Sequence, residues 1–413
     1  MQTQFDALIV GAGPAGSTAA ILLARAGWSV ALVERHEFPR RKVCGECIAA
    51  SNLGLLDALG VGDAIAAGAG PDLRQVALMH GPSSIVADLP PFDHSRHAWG
   101  RALGRETLDT LLLARARATG AVVLQPWSAR MLEGVAGDYR CAVRAIGTEE
   151  VALLRAPVAI DAHGSWEPLP ATRALRRGDR RPSSLFAFKA NFEGTQLAKG
   201  LLPVLSFEGG YGGMVFADGG TTTLACCIRR DRLGVLRRAS PGVAAGDVVG
   251  AMLRRECSGV DAALRTARRV GPWISSGPIQ PGIHLRGDDE VLRIGNAAGE
   301  AHPIIGEGIS MAMQSAWLLC AHLLRAGSRQ LPHHRSWQLA VCERYAADWR
   351  RHFTRRIRVA AVLAHLAMHP RWIAPFIPSL NRSTSLFARV ARWSGKVSCA
   401  PDPPIIVEGK YST

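Results

Sequence analysis

Three glycines and one acid near the N-terminus have the types and spacing that dinucleotide binding needs. They lie in Gly11-Ala12-Gly13-Pro14-Ala15-Gly16, with Glu34 following at a distance of about twenty residues. Gly11 permits a tight turn, Gly13 lets the backbone approach a pyrophosphate, and Gly16 lets a helix pack close to a strand. The free N–H groups and dipole of that helix start face phosphate charge. Glu34 is placed to accept hydrogen bonds from a ribose diol. Other groups with chemistry of their own stand apart from this loop. Cys44 and Cys47 form a CxxC, which serves zinc sites, redox disulfides and some cofactor loops. Cys226-Cys227 has the wrong spacing to complete a zinc site with them, so no metal is expected. His302, Tyr211 and Lys189 are the candidate acid, base and pocket-lining side chains.

Positioning these residues requires particular elements. Residues 6–10 read as a short buried parallel strand, followed by a glycine turn and an Ala/Leu-rich helix to about Ala26. Gly27 ends the helix, and Trp28 to Val33 reads as a second strand closed by Glu34. Residues 291–316 read as a strand, a glycine turn, a Pro/Gly loop and a long apolar helix. Segments near 74–88 and 184–230 alternate apolar and polar residues, as a sheet with one covered face does. Lys189 sits inside one such alternating run, where it lines a pocket or snorkels from a sheet edge. Tyr211 follows a glycine-rich turn, and is either a pocket residue or an ordinary sheet aromatic. His302 is either an acid/base or a loop histidine with a structural hydrogen bond. Residues 337–413 read as helices rich in Arg, Trp and Leu, punctuated by Pro370, Pro375 and Pro378.

The glycine loop alone does not separate FAD from NAD. Four later stretches do, through a resemblance. Gly295-Asn296 with the loop Pro303, Gly306 and Gly308 resembles the second flavin motif of the para-hydroxybenzoate-hydroxylase-like flavoproteins. Arg105 and Asp109 resemble their Arg-x-x-Leu-Asp helix, and Asp161-Ala-His-Gly164 resembles their Asp-x-x-Gly motif. Lys42-Val-Cys44-Gly45 resembles the Lys-x-Cys-Gly loop of the geranylgeranyl-reductase-like branch, in which Cys47 is incidental. The family usually has Asp where this chain has Asn296, which is nearly isosteric but uncharged. The resemblance implies an α/β protein: a Rossmann-like FAD-binding domain interleaved with a mixed β-sheet substrate domain, plus C-terminal helices. It places the FAD-binding domain at 1–72, 98–165 and 285–330, the substrate domain at 73–97 and 166–284, and the helical region at 331–413. It implies FAD contacts from Gly11, Gly13, Pro14, Ala15, Gly16, Glu34, Arg35, Cys44, Gly45, Arg105, Asp161, Gly295, Asn296, Pro303, Gly306, Gly308 and Ile309. It implies NAD(P)H as a transient reductant.

Composition narrows the partners. The chain has 413 residues, of which 48% are hydrophobic, enough for a large core in two intertwined domains. No apolar run is long enough to span a bilayer, and no signal peptide is expected before the glycine loop. Nine cysteines at irregular spacings fit reduced thiols in a cytoplasmic enzyme. The formal charge of +15 is read first as a solvated basic surface, then as attraction to an anionic membrane or acidic carrier. Nucleic-acid binding is not expected, because no recognition module is present. The Trp372 segment is read first as a helical cap, then as a surface-seeking stretch.

Two reactions share the implied scaffold. A monooxygenase would act through a flavin C4a-hydroperoxide on an aromatic, polyketide or prenyl compound, free or carrier-bound. A reductase would saturate a carbon–carbon double bond, as geranylgeranyl reductases do. The monooxygenase is expected first, because it is the commoner activity across the superfamily. A halogenase is not expected, since no Trp-x-Trp-x-Ile-Pro segment occurs. A non-catalytic or electron-transfer flavoprotein is the remoter alternative, and the cysteine spacing supports no iron–sulfur cluster.

Overall fold

The computed structural model describes residues 2–92, 96–165, 181–285, 289–325 and 333–373. A parallel sheet runs in the order Leu292–Arg293, Val158–Asp161, Ala7–Val10, Val30–Val33, Val122–Leu124. Its three central strands are buried along their whole length, as a parallel sheet covered on both faces demands. The period of two divides their side chains between two cores. Ala7, Ile9, Val30, Leu32, Val158 and Ile160 join a core with the helices Pro14–Arg25, Arg105–Ala118 and Gly308–Leu324. Leu8, Ala31 and Val33 face a three-stranded antiparallel sheet formed by Trp127–Val135, Asp138–Ala145 and Val151–Ala156. That small sheet was not singled out in the sequence.

A second, seven-stranded sheet runs in the order Arg268–Ile279, Leu185–Glu193, Thr222–Arg229, Gly210–Phe216, Leu201–Phe207, Gln75–His80, Ser83–Asp88. All its pairs are antiparallel except Leu201–Phe207 with Gln75–His80. Phe188, Ala190 and Phe192 pack under the helices Ala245–Glu256 and Ser258–Leu264. Leu185 and Ala187, on the opposite face, pack with Tyr211, Cys227, Val43 and Ile304. One face of the sheet is therefore a helix-covered core, and the other is turned towards the glycine-rich loops. The α/β class with a parallel FAD-type sheet, a mixed sheet and C-terminal helices is as expected.

Two readings need correction. The second strand is Val30–Val33, shorter than expected, because Trp28 and Ser29 lie in the irregular connection after the turn at Gly27, where Ser29 bonds Asp6. The C-terminal region begins not as several helices but as one, Arg335–Ala367, followed by the single turn Pro370–Ile373. It runs for about 50 Å at roughly 1.5 Å per residue. Its Val341, Tyr345, Trp349 and Phe353 bury in the first core, while Ala364 and Ala367 pack beside Tyr211. One helix thus touches both units. Trp372 is exposed, and the rest of the segment read as a cap or a surface-seeking stretch lies outside the described residues. No described helix is long and apolar enough to cross a membrane.

Candidate functional site: a flavin cleft

The glycines of the N-terminal loop divide by what a side chain would meet. Gly11 has φ +103°, and a Cβ there would lie 2.7 Å from the Ala162 carbonyl oxygen. A Cβ on Gly16 would lie 1.8 Å from the Gly11 carbonyl oxygen, so the helix packs against the turn only as glycine. Gly13 is different: the nearest atom is Arg105 Nη2, at 3.7 Å. The fold itself needs Gly11 and Gly16, and the space at Gly13 is open. Pro14 is the first residue of the helix, where its missing N–H costs nothing, and Ala15 is buried beside it. Glu34 is buried at the end of the second strand. Its Oε2 accepts the Ala12 N–H at 2.9 Å and its Oε1 accepts the His36 N–H at 2.9 Å. Arg35 is exposed beside it.

Positive charge collects around this loop. Arg105 opens its helix and holds Asp109 with two bonds of 2.7 Å, one turn on. The Lys42 ammonium lies 2.6 Å from where a Cβ on Gly164 would be. Burial, then Arg105 and Arg40, push the Lys42 pKa down to about 8, against the pull of Asp109 and Glu34. Arg40 Nη2 is 3.7 Å from Glu34 Oε2, and its Nε is buried without a hydrogen bond. Asp161, fully buried, accepts the His163 N–H at 3.2 Å and pairs with the His163 ring through the same Oδ1. Its Oδ2 and His163 Nε2 are buried with no partner. A helix start, crowded cations, an open glycine and orphaned polar atoms make a seat for a diphosphate with polar groups beyond it. The donor set fits FAD.

The expected flavin-ring segments converge beside this seat. Gly295 has φ +61° and donates its N–H to Ser315 Oγ at 2.8 Å. Asn296 Nδ2 donates to Ser165 Oγ at 2.7 Å, and that hydroxyl donates to Glu300 Oε1 at 2.8 Å. Pro303 is exposed, Gly306 turns the chain with φ +66°, and Gly308 starts the buried helix that contains Ile309. A helix N-terminus here favours negative charge placed before it. A Cβ on Gly306 would lie 3.4 Å from Cys47 Cβ, so this loop meets the Cys44–Cys47 loop. Nothing stands within 4 Å of the Gly45 Cβ position. Neither thiol is in a disulfide: Cys44 Sγ accepts the Glu46 N–H at 3.3 Å, and Cys47 Sγ donates to the Gly45 carbonyl at 3.4 Å. Cys47, read as incidental, lines an apolar recess with Leu73, Phe92, Trp99 and Leu202, bounded by Gly306 and Glu307. Among the described residues no cluster of His, Cys, Asp and Glu could hold a metal ion.

The three candidate chemical residues separate. The Tyr211 hydroxyl meets His302 Nδ1 at 3.0 Å, and Tyr211 packs beside Val43 and Ile304 of the two loops. Lys189 is not a snorkelling edge lysine. Its strand is interior to the sheet, its side chain is 0% exposed, and it does not line the recess. It pairs instead with Glu46, 1% exposed, which sequence reasoning missed. Glu46 is the one non-glycine residue with positive φ, +60°, among the described residues. Its only sequence signal was an acid inside the CxxC loop.

Comparison with known proteins agrees with this geometry. Residues 4–172 match the FAD binding domain family. The chain is 27% identical over 410 residues to a menaquinone reductase of Mycolicibacterium smegmatis, covering 96% of this chain and 93% of the relative. It is 25% identical over 362 residues to conditioned medium factor receptor 1 of Dictyostelium discoideum, covering 80% of this chain. It is also 37% identical over 120 residues to a tryptophan 2-halogenase of Chondromyces crocatus, covering 29% of this chain. The matched stretches span 65% of the receptor and 22% of the halogenase. Among solved structures, a flavin-dependent brominase superposes with a TM-score of 0.74 at 20% identity, covering 97% of this chain and 95% of that one. A geranylgeranyl bacteriochlorophyll reductase-like protein from Thermoplasma acidophilum superposes at 0.69 with 16% identity, covering 98% of each. Residues 4–172 thus carry the match to a FAD binding domain, and the chain as a whole shares the fold of these flavin-dependent enzymes and resembles the para-hydroxybenzoate-hydroxylase-like FAD oxidoreductases.

Proposed function

We propose that this oxidoreductase saturates a carbon–carbon double bond of an apolar, prenyl-type molecule, with NAD(P)H as the reductant. Saturation adds one hydrogen with its electron pair and a second as a proton. Reduced FAD, when bound, supplies the electron pair and the first hydrogen. The protein must then present a proton donor that stays protonated at neutral pH. The observation that carries the reading is the Tyr211–His302 pair, set between the loop of Val43 and the loop of Ile304. Burial, reinforced by Cys227, holds the Tyr211 phenol well above its ordinary pKa, so it keeps its proton. Burial lowers His302 to about 4, so its ring is neutral and pairs with the phenol through Nδ1 without taking a charge. The mostly apolar lining of the recess, with Leu73, Leu202, Phe92 and Trp99, suits an apolar substrate. The near full-length likeness to a menaquinone reductase supports the same reading.

A second reading is the oxygen-dependent hydroxylation or epoxidation that the sequence places first. The aromatic lining of the recess, Phe92 and Trp99, favours it for a planar substrate. One experiment separates the two. Holoprotein, NAD(P)H and a panel of prenylated quinones and aromatic compounds are incubated under argon and under air. The reductase reading expects an anaerobic product two hydrogens heavier. Substrate-stimulated oxygen uptake with a product one oxygen heavier, and no anaerobic product, would overturn it.

A further inference from the structure

The Glu46 carboxylate is held from three directions. Its Oε1 pairs with the Lys189 ammonium and accepts the Arg105 backbone N–H at 3.0 Å. Its Oε2 accepts the Thr223 hydroxyl. Lys189 belongs to the strand Leu185–Glu193 and Thr223 to its neighbour Thr222–Arg229, both interior to the seven-stranded sheet. Arg105 is the first residue of the helix Arg105–Ala118, whose free N–H groups favour a carboxylate. Glu46 itself hangs from the Cys44–Cys47 loop, and its carbonyl accepts the Leu103 N–H. Four pieces of chain from two units therefore meet on one side chain.

The backbone at Glu46 has the left-handed conformation that residues with a Cβ rarely adopt. Such a conformation persists where the surroundings over-determine it. Here the side chain is the determinant, since it is anchored at every oxygen. A buried ion pair is poor value for stability alone, because removing two charges from water costs nearly what their attraction returns. Its placement is therefore better explained by what it orients. On one side of Glu46 lies Cys44-Gly45, and on the other Cys47, which lines the recess and meets Gly306. The helix it caps carries the Arg105 guanidinium to the open face of Gly13.

We propose that Glu46 and Lys189 are positioning residues, whose buried interdomain pair sets both the Cys44–Cys47 loop and Arg105 in the geometry that flavin binding requires. The proposal rests on the FAD assignment. It assigns Lys189 no contact with substrate. It also explains an ammonium at the centre of a sheet where an apolar residue would otherwise serve.

The test is the double variant Lys189→Met with Glu46→Gly. It removes both buried charges together and places glycine where φ is +60°. The apoprotein is expected to melt within a few degrees of wild type. FAD affinity, from fluorescence titration of the apoprotein, is expected to fall by about tenfold or more, because the loop and Arg105 lose their preorganisation. The bound flavin's visible band should lose its vibronic shoulder. Wild-type affinity and spectrum in the double variant would overturn the proposal. Should that variant not fold, Thr223→Val removes one anchor and leaves both charges. A few-fold weaker FAD affinity at unchanged melting temperature is then expected, and unchanged affinity overturns the proposal. Wild-type protein that takes up no FAD is a different failure, one of the flavin assignment itself.

Discussion

The Tyr211 hydroxyl lies 3.0 Å from His302 Nδ1, with the two rings 66° apart and their centroids at 6.1 Å. Neither group is charged at neutral pH, so a single proton lies between the phenolic oxygen and Nδ1, and the imidazole tautomer sets which of the two donates. Tyr211→Phe removes the donor and keeps the ring that packs against Ile304. It is expected to lower turnover by about 100-fold, within the usual range for a lost general acid, with FAD content unchanged. Steady-state rates and the flavin absorbance of the purified variant check this.

The same pair sets a pH dependence. His302 falls from its ordinary 6.5 to about 4 through burial, so the unfolded chain binds more protons than the native one between those values. Stability therefore rises with pH across that window and is lost on acidification from 6.5 towards 4. His302→Gln should flatten this part of the melting-temperature profile. An unchanged slope in the variant would show that other groups carry it.

Gly11 and Gly13 are expected to respond differently to one methyl group. Gly11→Ala forces a Cβ into the Ala162 carbonyl at a φ of +103°, so the protein should be strongly destabilised. Gly13→Ala meets no protein atom closer than 3.7 Å. Its apoprotein should melt as wild type does, yet bind FAD at least about tenfold more weakly, because the methyl occupies pyrophosphate space. Calorimetry and flavin titration on both variants make the comparison.

Lys42 predicts opposite effects on fold and cofactor. Its pKa, lowered from 10.5 to about 8, means that the unfolded chain binds more protons between those values. Its contribution to apoprotein stability thus rises as pH climbs through the window. FAD affinity should fall over the same range, as the cation facing the diphosphate is neutralised. Lys42→Met should raise the apoprotein's melting temperature at pH 7 and weaken FAD binding.

Asn296→Asp tests the family's usual residue in this setting. The Asn296 amide donates to Ser165 Oγ and approaches Glu300 Oε1 at 3.5 Å. An aspartate would lose the donor and face a second carboxylate. Its melting temperature is expected to drop relative to wild type at pH 8 and to recover as pH falls, because one acid of such a pair holds its proton more tightly. A uniform shift at all pH values would exclude charge repulsion as the cause.

What was legible in the sequence is what the chain builds locally. The strand Ala7–Val10, the turn at Gly11 and the helix from Pro14 are consecutive, so spacing alone places their groups around one point. The same holds for Gly295 to Gly308 and for the Arg105–Asp109 pair, one helical turn apart. The alternation around Lys189 revealed a strand but not its neighbours. Whether that lysine sat at an edge or in the interior depended on Arg268–Ile279, which pairs on its far side. Glu46 meets Lys189 across 143 residues, and Tyr211 meets His302 across 91. Those meetings are decided by how a seven-stranded sheet docks on a parallel one. Local propensity carries no information about that docking, because it follows from the burial of two apolar faces against each other and from the few polar groups that must find partners there. The sequence by itself determined a dinucleotide loop and its flavin context. Only the tertiary structure turned a CxxC acid and a mid-strand lysine into one buried pair.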